Sequence, residues 1–264
     1  MNNPDRWSDL ATRVGSGVVM VIVGLGAVIA GADVFHGFIA LLCGAMVWEL
    51  ARMLAAGRGG ALAPGLGALT TVSVMVSIYL SGLLAGPVLL APAIIGTAVM
   101  PRHRSVFALF TVLVVLAGYE MMQVRDSFGL VWIFWLVLVV VMSDVAGYFA
   151  GRMLGGPKFW PRVSPKKTWS GTVAGWIGAA LLGLVFALAT DAGLSLVPYS
   201  VLVAFAAQMG DIAESAVKRM VGVKDSSNLI PGHGGFLDRF DGMLGAAFFV
   251  LLTGALIGLP PGAA

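Results

Sequence analysis

Residues 59–101 read GGALAPGLGALTTVSVMVSIYLSGLLAGPVLLAPAIIGTAVMP, 43 positions without an Asp, Glu, Lys or Arg. A soluble domain cannot wet such a run. At roughly 20 residues per crossing it is long enough for two membrane helices. The pattern recurs outward from it, with charge-free runs over 14–32, 34–48, 105–119, 127–143, 168–190, 192–210 and 242–264. Of the 264 residues only 11% are charged and 59% are hydrophobic, against about a quarter charged in an average soluble domain. Composition therefore excludes an ordinary soluble protein, a disordered chain and a disulfide scaffold. The single cysteine, Cys43, has no partner in the chain. A net charge of +3 is too small to argue for nucleic acid. The class that remains is an all-α, polytopic integral membrane protein.

Dividing the long run in two predicts nine transmembrane helices, near 14–32, 34–54, 64–82, 84–100, 105–122, 128–151, 171–190, 197–220 and 240–259. Membrane-barrel strands are excluded, because the runs do not alternate in polarity. Ala30-Gly31-Ala32 resembles a signal-peptide cleavage site, but the apolar region before it is longer than the usual 7–15 or so residues, so the first span is expected to stay. With nine helices and a cytoplasmic N-terminus, 15 of the 16 basic residues fall inside and only Arg125 falls outside, as the positive-inside rule requires. The chain then divides into N-terminal helices, 1–127, serving as scaffold and lipid-facing wall, and a C-terminal catalytic region, 128–264. The latter carries two polar cytosolic loops, 152–170 and 222–239. The expected location is the plasma (inner) membrane, multi-pass, with the active site at the cytoplasmic face.

Chemistry-bearing residues gather in and beside those loops. Ionisable groups inside spans are costly and mark function. Asp144 sits late in the sixth span, after seventeen uncharged residues, and Asp211 lies in the eighth. Glu214 follows three residues later on the same face, and Lys218 stands four further on, placed to pair with it. In the first loop, Ser164, Lys166, Lys167 and Thr168 crowd at a helix N-terminus, whose free N–H groups and positive dipole end suit phosphate. A merely topogenic basic loop is the alternative. In the second loop, three glycines surround His233, so backbone can approach a ligand closely. Asp238 and Asp241 are three apart, on one face if the ninth helix starts near Gly235, beside Arg239. Carboxylates next to Lys and Arg are the groups that metal-assisted phosphate chemistry uses. His233 lacks the companions a zinc site needs.

Three segments carry a resemblance. They are Ser215-Ala216-Val217-Lys218-Arg219, then Lys224-Asp225-Ser226-Ser227, then Ile230-Pro231-Gly232-His233-Gly234-Gly235-Phe236-Leu237-Asp238-Arg239-Phe240-Asp241. Together they resemble the full signature of the phosphatidate cytidylyltransferases (CDP-diacylglycerol synthases). Ser143-Asp144-Val145-Ala146-Gly147-Tyr148, Gly151-Arg152 and Ser164-Pro165-Lys166-Lys167-Thr168-Trp169 are similar to the family as well. The family commonly has Glu after that Trp. Ser170 stands there in this chain, so no carboxylate role carries over to it.

The resemblance implies transfer of CMP from CTP to phosphatidate, giving CDP-diacylglycerol and pyrophosphate for phospholipid biosynthesis. It implies Mg²⁺ held by Asp144, Asp211, Asp238 and Asp241. Asp211, Asp241, Lys218 and Arg239 become the catalytic set, with phosphate held by Ser164, Lys166, Lys167, Thr168, Arg219, Lys224 and His233. The implied partners are CTP, phosphatidate and membrane lipid, with no nucleic acid and with room for a homo-oligomer. Two other functions stay open on sequence alone. A CTP-dependent polyprenol or phytol kinase would move the γ-phosphoryl group instead. An ion-coupled transporter would use Asp144 and Asp211 at mid-depth.

Overall fold

The computed structural model describes residues 4–55 and 60–257. Its helices are α1 (Pro4–Ala30), α2 (Ala32–Leu54), α3 (Leu62–Ser77), α4 (Ala85–Val99), α5 (Arg104–Phe128), α6 (Leu130–Met153), α7 (Trp169–Ala189), α8 (Leu196–Val221) and α9 (Leu237–Ile257). Among the described residues, seven helical stretches are long and apolar enough to cross a membrane, and α3 is a shorter apolar helix. This is the all-α architecture of a polytopic membrane protein. Between α6 and α7 lies an element absent from the sequence reading, an antiparallel hairpin of β1 (Lys158–Trp160) and β2 (Ser164–Thr168).

The chain forms two compact units, 1–115 with 220–240, and 116–219 with 241–264. In the first unit α2 is the core element, with Phe35, Val47 and Leu50 fully buried. It meets α3 backbone to backbone: a Cβ on Gly67 would lie 2.9 Å from the Gly44 carbonyl. Gly31, at φ 65°, and Ala32, at φ 43°, interrupt the helix between α1 and α2. α1 itself is almost unenclosed, and Val14, Val18, Val21 and Ile22 all stand exposed.

In the second unit, glycines set the spacing between helices. A Cβ on Gly147 would lie 3.2 Å from the Gly171 carbonyl, and one on Gly171 would lie 2.6 Å from the Gly147 carbonyl. Gly147 and Gly151 on α6, and Gly171 and Gly175 on α7, thus form two small-xxx-small faces, the sequence device that lets membrane helices approach closely. Gly210 on α8 and Gly245 on α9 make a similar crossing, with a Gly210 Cβ 3.0 Å from Gly245 N. A buried polar junction fixes the register that the bare glycine faces leave open. Gln208 Nε2 donates to Ser143 Oγ (3.2 Å) and to the Thr172 carbonyl (3.3 Å), while Trp176 Nε1 donates to Gln208 Oε1 (3.0 Å). In a low-dielectric interior a fully bonded amide of this kind specifies one arrangement.

Gly175 sits at that junction. A Cβ there would lie 2.7 Å from Gln208 Nε2 and 2.8 Å from Ser143 Oγ. Gly175→Ala is therefore expected to destabilise the unit by about 1–3 kcal/mol through overpacking. The check is the heating midpoint for loss of monodisperse protein in detergent, with Gly24→Ala as control, where a Cβ meets open space. Equal midpoints for the two variants would refute this packing.

Candidate active site

In the second unit the hairpin delivers the basic residues. Successive residues of β2 point to opposite sides, so Lys166 is exposed and Lys167 turns inward. Thr168 then caps α7, its Oγ1 accepting from Gly171 N at 3.2 Å, the usual N-cap bond to the third helical residue. Ser170, which replaces the family's Glu, donates to the Gly155 carbonyl and shares a 3.0 Å hydrogen bond with Thr168 Oγ1. It ties the loop to the helix start. The Phe159 and Trp169 rings pack edge to face with centroids 4.7 Å apart and brace the hairpin.

Lys167 Nζ lies 2.5 Å from Asp211 Oδ2 and donates to the Gln208 carbonyl at 3.4 Å. Asp211 Oδ1 accepts from Ser215 Oγ at 3.3 Å. One turn further along α8, Glu214 is buried and pairs with Lys218 at 2.5 Å, as the spacing predicted. Asp241, near the start of α9, accepts from Gly242 N at 2.7 Å. The charges of Asp211, Asp144 and Lys218 all act on its carboxyl. Asp144 is exposed on α6, one turn before the Gly147 contact, and Ser164 is half-buried in β2; Arg219 is exposed near the end of α8. The structure thus brings Asp144, Lys167, Asp211, Lys218 and Asp241 into one acidic and basic cluster.

The first unit holds the other predicted residues, and an anchor that the sequence reading passed over. Glu49, on α2, is fully buried. Its Oε1 accepts from Ser227 Oγ (2.6 Å) and Phe236 N (3.0 Å), and its Oε2 accepts from Leu237 N (2.7 Å) and lies 3.2 Å from Ser226 Oγ. One carboxylate therefore pins both ends of the 226–237 loop and caps the first turn of α9. Asp238 works from within the loop, its Oδ2 accepting from Ser226 N, Ser226 Oγ and Gly235 N at 2.8–2.9 Å. Gly235 has no room for a side chain, since a Cβ would lie 2.5 Å from Glu49 Oε1. Between these anchors, His233 N donates to the Ile230 carbonyl at 2.9 Å, and Gly232 and Gly234 take positive φ angles of 75° and 87°. Arg239 Nε donates to the His233 carbonyl at 2.8 Å. Lys224 is exposed before the loop. A signal for Glu49 was present: it is an acid at the end of an apolar span, the same sign that picked out Asp144 and Asp211.

Each Glu49 oxygen faces a main-chain N–H, Phe236 on Oε1 and Leu237 on Oε2, so both must accept and a carboxylate is required. Gln would aim its own NH₂ at one of these N–H groups. Hydrogen bonds to a charged group contribute about 1.5–3 kcal/mol each. Glu49→Gln is expected to raise tryptic cleavage after Lys224 and Arg239 at least about tenfold through local opening, with helix content unchanged. Cleavage at the wild-type rate would show that the loop is held by other groups.

Among the described residues no three His, Cys, Asp or Glu side chains converge into a ready-made metal cage. Mg²⁺ does not need one: it is usually held by one or two carboxylates, with waters and substrate phosphates completing six ligands. Asp211 and Asp241, with Asp144 in electrostatic reach, fit that donor chemistry.

The profile of the cytidylyltransferase family matches residues 11–257. The chain belongs to this family. The family member resembles the phosphatidate cytidylyltransferase of Brucella suis, with 47% identity over 137 residues covering 51% of each chain. It also resembles proteins of that name from Bacillus subtilis, 41% identical over 122 residues and 45% of each chain, and from Helicobacter pylori, 43% over 128 residues and 48% of each chain. The chain spans about half the length of the curated relatives it matches.

Proposed function

We propose that this family member transfers CMP from CTP to phosphatidate, releasing pyrophosphate and forming CDP-diacylglycerol. The observation that carries the reading is the cluster of Lys167 on Asp211 with Asp241 and Lys218, set in a chain of the cytidylyltransferase family. The nucleophile is a phosphate oxygen of phosphatidate, already anionic near neutral pH, so no strong base is needed. It bonds to the α-phosphorus of CTP, and the bond from that phosphorus to the pyrophosphate oxygen breaks. The obstacle is the approach of two polyanions, which positioned positive charge overcomes.

Lys167 and Lys218 lie within the cluster, while Ser164, Lys166, Thr168 and Arg219 offer further donors and charge for phosphate oxygens. Lys224, His233 and Arg239 do the same from the second loop. Asp144, Asp211, Asp238 and Asp241 are the proposed Mg²⁺ ligands. When bound, the ion supplies Lewis-acid charge to phosphate oxygens.

The finer topology belongs to the same proposal: nine spans, a cytoplasmic N-terminus, and a site at the cytoplasmic face of the plasma membrane. The division of basic residues supports it, and reporter fusions at both ends test it.

The deciding assay uses purified protein with phosphatidate, Mg²⁺ and CTP labelled in turn at the α- and γ-phosphates. The proposal expects α-label in lipid and γ-label in pyrophosphate. γ-Label in lipid would make the protein a kinase and overturn the proposal.

A further inference from the structure

We infer that the groove between α1 and the His233 turn seats the acceptor lipid, its phosphate at Arg13 and His233 and one acyl chain along α1. This rests on the proposed CMP transfer and adds a place for its lipid substrate. The groove is a shallow one, open to its surroundings, with about 480 Å³ of space along Val14, Val18, Val21 and Ile22 and with Arg13 and His233 at one end.

Spacings of four, seven and eight put the valines and the isoleucine on one face of α1. At 1.5 Å per residue that face runs about 12 Å from Val14 to Ile22. Only 6% of the apolar window of α1 is buried, against 67% for α2, so this wall is open to lipid from the side. The polar end is built. Ser16 Oγ lies 2.9 Å from His233 Nδ1 and donates at 2.9 Å to the Pro231 carbonyl among its alternatives. A side chain at Gly17 would come within 3.7 Å of the His233 ring, so glycine lets the imidazole lie flush against α1. With Ser16 on Nδ1, Nε2 is the nitrogen left for a ligand, and a phosphate selects the tautomer that carries its proton there.

The charge pattern chooses the occupant. An uncharged or zwitterionic bulk lipid gains nothing from the groove wall that the bilayer does not already give. A lipid ending in a phosphate monoester gains charge-assisted bonds from a guanidinium and an imidazole. Affinity comes from the head, and the wall sets orientation.

The test measures half-saturating phosphatidate and CTP separately on full-length protein in mixed micelles. Val18→Trp fills the groove and should raise the phosphatidate value about tenfold while the CTP value stays put. Arg13→Gln should act in the same direction and by a similar factor, about tenfold. Leu41→Trp, on an exposed apolar position of α2, should change neither. A second measurement uses unaltered protein without CTP: phosphatidate with a photoreactive acyl chain should label residues 12–22. Unlabelled phosphatidate should compete, and phosphatidylcholine should not. Unchanged phosphatidate saturation in Val18→Trp, or label absent from α1, overturns the inference and leaves CMP transfer standing. Label on α1 in a protein that transfers no CMP sinks the proposed function and leaves an anionic-lipid site.

Discussion

Asp211→Asn and Asp241→Asn should each lower CMP transfer at least about a hundredfold, the scale of losing one positioned electrostatic group from an active site, while the protein still inserts. Asn keeps the shape and one acceptor oxygen but not the negative charge that holds a divalent cation. Insertion should not suffer, because a carboxylate in a span costs roughly 2.5–3.5 kcal/mol on insertion scales. Asp211→Asn also strips Lys167 of its 2.5 Å partner, so the two act as a unit. Adding Lys167→Met to Asp211→Asn should cost far less than the product of the single losses. Lys166, exposed on the opposite side of β2, serves as the contrast. Lys166→Ala should give a smaller loss that high CTP restores, whereas loss of Asp211 should respond more to raised Mg²⁺. Near-normal rates for Asp211→Asn at low Mg²⁺ would make that carboxylate a structural partner of Lys167 and nothing more.

Chelation should abolish turnover, with a loss of at least about a thousandfold, given the several kcal/mol that a cation contributes to phosphoryl charge stabilisation. Mg²⁺ added back in excess should restore it. The physical ground is repulsion. The charges of Asp211 and Asp144 both act on the Asp241 carboxyl, and like charges gathered in one place call for a cation among them. Incoming triphosphate and phosphatidate add more negative charge to the same place. Undiminished turnover in excess chelator would leave Lys167, Lys218 and the loop cations as the whole of the electrostatic machinery.

Much of this was legible in the sequence, for identifiable reasons. Charge-free runs mark helices in any lipid-facing chain, so α2, α7 and α8 fall within a few residues of their expected limits. The Glu214–Lys218 pair followed from helical spacing. The ninth helix begins at Leu237, ahead of the expected start near 240, because Asp238 and Arg239 read as loop yet sit in a capped first turn. The β1–β2 hairpin was hidden by its length, with strands of three and five residues in a Lys- and Pro-rich stretch that has no alternating apolar pattern. The Glu49 anchor was hidden by distance: its partners Ser226 and Leu237 are 177 and 188 positions away. Nothing local distinguishes an acid that binds a distant loop from one that merely ends a span. The same holds for Lys167 and Asp211, which two different segments bring together.

Because two main-chain amides and the hydroxyls of Ser226 and Ser227 face one acid, Glu49 and the 226–237 loop are free to drift only as a pair. A neutral residue at 49 is tolerable only if the hydroxyls at 226 and 227 and the two main-chain amides find another acceptor at the same time, and no single substitution accomplishes that. Homologous chains should therefore show position 49 changing in step with positions 226 and 227. A chimera that imports residues 220–240 from a relative should fold its loop only when α2 is imported with it, however well the donor's loop matches in sequence.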